Sequence, residues 1–90
     1  MIATRCNTMA EMEGTPGAFC FEANDAGLFY NCPCGCETQG FIPFAGKVTG
    51  HKHSWNWDGN KDQPTLLPSI QRTTGCKWHG HLKVGIWSTV

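Results

Sequence analysis

The sequence predicts a small all-β domain of five to seven short strands, with no substantial helix and with a staple other than its core. Three observations lead there. Eleven glycines and five prolines interrupt the chain too often for long helices. Apolar residues recur with period two in several short runs. Three of the six cysteines crowd into Cys32-Pro33-Cys34-Gly35-Cys36, and a Cys-x-x-His pair, Cys76 and His79, stands near the far end. Together they give zinc-ribbon-like hairpins closed on a metal.

Ninety residues make one domain. A chain this short buries only about 60–65% of its unfolded surface, so it often needs a cross-link. Leu, Ile and Val are sparse, and four tryptophans with five phenylalanines carry much of the apolar bulk. Residues 1–17 contain Arg5, Glu11 and Glu13 and no apolar core, so they do not read as a secretory leader. No run approaches a membrane span. A reducing compartment, with cysteines serving a metal, is favoured over a secreted disulfide framework. Cys6 and Cys20 are then spare thiols, one near the terminus and one a small core residue.

Taken in order, residues 1–17 read as a flexible N-terminal arm with one helical turn near 10–13, and residues 18–90 as the zinc-stabilised domain. Phe19 and Phe21 alternate with Cys20 and Glu22, 24–27 is a turn, and 28–30 begins a second strand, so 18–30 forms a β-hairpin. Residues 41–44 make a short strand that Pro43 restricts to an edge or bulge. From 47 to 57 the pattern is again of period two, with His51, His53, Trp55 and Trp57 on one face. That pair of histidines reads as surface or partner-contacting. Pro64 and Pro68 impose an extended, partly unpaired course on 63–70. Residues 79–84 and 86–90 are strands joined or bulged at Gly85.

The formal net charge is zero, with seven basic and seven acidic side chains. The bases gather beyond residue 45 without an arginine cluster, so the charge pattern argues against a nucleic-acid partner.

Thiolates spaced this closely suit a tetrahedral metal shell better than disulfides, because alternate cysteines are badly placed to bridge each other. A Cys-Pro-x-Cys-Gly corner aims backbone amides at sulfur. Here it is compressed, which leaves open which two of Cys32, Cys34 and Cys36 bind. Cys32 with Cys34 fits the placement of the proline and glycine, so Cys36 is expected to be left over as an alternate ligand. Cys76 and His79 supply the other pair, and His81, two residues on, is a substitute. One histidine with clustered cysteines fits structural Zn²⁺ better than an iron–sulfur cluster.

Three blocks together resemble a family of small phage and bacterial domains. They are residues 17–36 through the cysteine cluster, Pro64-Thr65-Leu66-Leu67-Pro68-Ser69-Ile70, and Cys76-Lys77-Trp78-His79-Gly80-His81-Leu82. Glu37 departs from the pattern, which has glycine there. The resemblance implies shared positions at Cys32, Cys34, Cys36, Ser69, Cys76 and His79. A bacterial branch is similar to the peptidase-like component of ubiquitin-like conjugation operons.

Two functions follow as expectations. The first is a non-enzymatic zinc-clasped binding module, an accessory virion (capsid or tail) protein docking through its tryptophans or arm on a phage structural protein or a lattice of its own copies. It would reside in the host cytoplasm or the virion. The alternative is a small hydrolase acting on a protein conjugate. Ser69 would be its nucleophile, His79 or His81 the base, and Asp58 or Asp62 the orienting group.

Overall fold

The computed structural model describes residues 1–47, 53–72 and 75–90. Among these residues, eight strands form two four-stranded sheets. The first contains β1 (Thr4–Arg5), β2 (Ala18–Phe21), β3 (Gly27–Asn31) and β4 (Gln39–Pro43) in that order. The second contains β5 (Asn56–Trp57), β6 (Leu66–Gln71), β7 (His79–Lys83) and β8 (Ile86–Thr89). The only helical turn among the described residues is a 3-10 turn at Ala10–Met12. No helix there is long and apolar enough to cross a membrane.

The hairpin expected over 18–30 forms, with Phe19 opposite Tyr30 and Phe21 opposite Leu28. Its turn is organised by the Glu22 carboxylate, which accepts hydrogen bonds from the amides of Asn24 and Ala26. Period two then sorts the side chains. Phe19, Leu28, Tyr30, Ile42 and Phe44 bury one face against Leu66, Ile70, Leu82 and Trp87 of the second sheet. The opposite face is smaller. There Cys6, Met12, Ala18 and Cys20 cluster with Phe29, and burial raises the pKa of both thiols.

Of residues 1–17, read from the sequence as an arm, Met1 and Ala3 bond to Trp87 and Gly85 of the second sheet, and the stretch from β1 onward lies against this opposite face. β1 pairs in parallel with β2, Met12 is fully buried, and the Asn31 amide donates to the carbonyls of Met12 and Thr15.

Aromatic rings join the two sheets. Tyr30 and Trp87 have centroids 5.4 Å apart, and Phe44 stacks on Trp57 at 4.8 Å. Trp78 and Trp87 are buried, whereas Trp55 and Trp57 are half-buried against the same core. Two of the four tryptophans are thus core residues outright. His53 is exposed, and His51 lies outside the described residues.

Within β6 the ladder is irregular. Leu66 faces Leu82 and Ile70 faces Gly80, so the β6 segment between them is longer than its partner, and it contains a cis Leu67–Pro68 bond.

Trp87 tests this arrangement because it also donates from Nε1 to the Gly17 carbonyl at 2.8 Å. Trp87→Ala is expected to cost about 3–5 kcal/mol of unfolding free energy. A urea titration should show the midpoint falling at unchanged slope. A loss under about 1 kcal/mol, the range of surface substitutions, would contradict a core shared by both sheets.

Candidate metal centre and serine–histidine pair

β3 delivers Cys32 at its end, where the chain must turn back into β4. The Cys32 amide donates to the Thr38 carbonyl at 2.9 Å, and the Gly35 amide closes onto the Cys32 carbonyl at 3.1 Å. Gly35 supplies the positive φ of 86° that this turn requires. Two positions on, Glu37 is also left-handed, with φ 64°. Glu37 therefore holds a conformation that glycine would take at less cost.

The turn brings Cys32, Cys34 and Cys36 together, and the loop between β6 and β7 adds Cys76. One sulfur from each lies within 4.8 Å of all the others. Cys32 Sγ is 3.2 Å from Cys34 Sγ and 3.4 Å from Cys76 Sγ. Four sulfurs bound at about 2.3 Å to one tetrahedral ion would sit about 3.8 Å apart, so the cluster is close to a metal-holding shell. All four cysteines are free thiols. Cys36, expected from the sequence as the one left over, stands in this group, and His79 does not.

The electrostatics of the cluster are uneven. Burial raises the pKa of Cys32. Cys36 is lowered to about 6, first by the Thr38 hydroxyl 2.9 Å away and then by the Thr38 backbone amide. Arg72 spans the gap between the sheets, donating to the Tyr30 hydroxyl at 3.3 Å and the Gln39 carbonyl at 3.5 Å. Its guanidinium is near enough to Cys32 and Cys76 to offset part of the charge that thiolates would carry.

His79 is committed elsewhere. Its Nε2 lies 2.9 Å from Ser69 Oγ. Gln71 faces His79 across the β6–β7 ladder, and Ser69 is two residues before Gln71, so all three side chains share the sheet face turned away from the core. His79 therefore reaches diagonally to Ser69. Trp55 fixes the serine's backbone by donating from Nε1 to the Ser69 carbonyl at 3.2 Å. His81 has the same parity as His79, and its Nδ1 is buried with no partner among the described residues.

The two aspartates considered as orienting groups are engaged elsewhere. Asp58 accepts from the amides of Asn60 and Thr65, and Asp62 pairs with Arg5 at 2.8 Å.

The structure therefore separates two sites that the sequence had run together. One is a closed thiolate cluster, and the other is a hydroxyl held against an imidazole. A paired serine and histidine on a rigid sheet is the nucleophile–base arrangement of a serine hydrolase. The chain belongs to the family described as the bacterial ubiquitination-like system serine protease, BubE, whose model matches residues 5–90. No curated protein and no solved structure matches the chain.

Cysteine substitutions separate the roles. Cys36→Ser and Cys76→Ser should each lose bound metal by elemental analysis, and His79→Ala should keep it. Cobalt loaded in place of the native ion should show the intense near-ultraviolet bands of thiolate ligation in the His79→Ala variant. Metal loss in that variant with retention in Cys36→Ser would reverse the assignment. Glu37→Gly should stabilise the turn by up to about 1 kcal/mol in a thermal melt, and a drop in Tm would contradict the strain.

Proposed function

We propose that this chain is a serine hydrolase that cleaves the acyl bond between a ubiquitin-like protein and the group to which it is joined. The observation that carries this reading is the 2.9 Å approach of Ser69 Oγ to His79 Nε2 in a chain of this family. The family assignment favours the hydrolase over the virion module.

The chemistry follows from the pair. As Ser69 Oγ attacks the carbonyl carbon, an O–C bond forms and the hydroxyl proton passes to His79 Nε2. Collapse breaks the bond to the leaving nitrogen or oxygen, which takes that proton from the imidazolium. A water molecule then gives a proton back to Nε2 and attacks the acyl-serine, and collapse restores the Ser69 hydroxyl. For Nε2 to accept at the start, the ring proton must sit on Nδ1.

The four cysteines fit Zn²⁺ as a structural ion. Cys32, Cys34, Cys36 and Cys76 would supply a complete thiolate shell, and such a shell has no open position for a substrate oxygen. Bound there, zinc would tie the β3–β4 turn to the β6–β7 loop.

Ser69→Ala is expected to reduce hydrolysis of a ubiquitin-like conjugate by at least about a thousandfold, and His79→Gln by a similar factor, because the two act as one unit. Both variants should keep the wild-type melting profile. An alkyl fluorophosphonate should label the wild type at Ser69 in a peptide map. Full turnover by Ser69→Ala would refute the reading.

A further inference from the structure

Beside Ser69, the second sheet has an edge that no strand covers among the described residues. β5 pairs only with Leu66 and Leu67 of β6. Among the described residues, no strand covers the rest of β6 on the side away from β7.

The ladder fixes which backbone groups face that side. The Arg72 amide donates to the Trp78 carbonyl, and the His79 carbonyl is taken by Val90 beyond β8. Bonded and non-bonded pairs alternate in an antiparallel ladder, so Gln71 and His79 form a non-bonded pair. The N–H and C=O of Gln71 therefore point outward, and neither has a partner among the described residues.

They face a cleft of about 200 Å³ between the two sheets, with Ile70, Gln71 and Trp55 on one wall and Gly40 and Ile42 of β4 on the other. Trp55 is also the residue that holds the Ser69 carbonyl, so the cleft adjoins the Ser69 backbone.

We propose that this edge receives the substrate as an added strand. The acyl-side peptide of the conjugate lies extended along β6, and its backbone exchanges hydrogen bonds with the N–H and C=O of Gln71. The inference rests on the serine-hydrolase reading and adds to it where and how the substrate is held.

Two residues of strand separate Gln71 from Ser69, about 7 Å, which is the distance from a scissile carbonyl to the residue two before it in an extended peptide. In a conjugate joined through a side chain, only the acyl side offers continuous backbone up to the cleaved bond. Backbone pairing supplies affinity, and the pocket beside it selects side chains. This cleft is smaller than the roughly 300–1,000 Å³ of pockets that enclose a drug-sized ligand, so it suits a tail of small side chains.

The test uses covalent probes on the full chain. An N-acetyl trialanyl diphenyl phosphonate should label Ser69 about tenfold faster than its single-alanine analogue, the gain of a pair of backbone hydrogen bonds. Methylating the probe nitrogen two residues before the phosphorus-bearing one should erase the gain. Gln71→Pro should erase it too, since proline removes an outward N–H and no ladder bond. Gln71→Ala should retain it.

Equal rates for the long and short probes, or a gain that survives both N-methylation and Gln71→Pro, would overturn the proposal. If Gln71→Pro fails to fold by circular dichroism, the N-methylated probe on the wild type decides alone. An alkyl fluorophosphonate labels a reactive serine without needing a peptide site. Its failure on the wild type would sink the hydrolase reading and the strand proposal with it, whereas its success beside equal probe rates would sink the strand proposal only.

Discussion

Two short sheets share one thin aromatic core, and at one end they must be joined by something other than apolar contact. At that end four cysteines gather from both sheets. Cys32 and Cys76 lie 44 positions apart in the chain and 3.4 Å apart in space. Closing a loop of that length costs chain entropy, and a metal bound by the assembled cysteines would offset it with its binding free energy. Everything between the two cysteines is drawn into the span: β4, β5, β6 and the turn that precedes β7. Tyr30 and Arg72 cross the gap beside the cysteine cluster, the guanidinium donating to the Tyr30 hydroxyl and lying over its ring.

The main core occupies one face of the second sheet, and Ser69 and His79 sit on the other. Ile70, Gly80 and Leu82 point inward and are buried. Ser69, His79 and His81 alternate with them and are half-buried. Gly80 has no room for a side chain, because a Cβ there would meet the Trp78 ring and the Ser88 carbonyl. That close approach keeps β7 flat against β8 and the Trp78 ring. The histidine next to Gly80 is thus mounted on backbone with little freedom to shift, as precise hydroxyl-to-imidazole geometry requires.

The all-β class, the hairpin over 18–30 and the cysteine cluster were legible because each is a local pattern: a period, a turn or a spacing. The division of labour between cysteines and histidines was not. Cys76 and His79 have the spacing of a ligand pair, but His79 is the first residue of β7. Strand parity therefore turns it onto the face of Ser69, while Cys76 remains in the loop. Only the register Gln71 opposite His79 reveals this, and register depends on a tertiary pairing that no local pattern specifies. Met12 was hidden for a similar reason. One buried methionine amid polar residues carries no periodic signal, yet it seals the second small cluster.

The clasp and the serine–histidine pair are coupled through one connection. Ser69 and His79 flank the β6–β7 turn, with Arg72 three residues after the serine and Cys76 three before the histidine. Arg72 is bound to the first sheet and Cys76 belongs to the thiolate cluster. Both stems of the turn are therefore tied to the β3–β4 end of the first sheet. If the clasp opened, the turn would lose its anchor and the offset between Ser69 and His79 would relax. A misplacement of about 1 Å can cost a hundredfold in rate without removing any reacting group. The cysteines can thus govern the serine–histidine contact without touching either residue, because what they supply is the register that keeps a diagonal contact short.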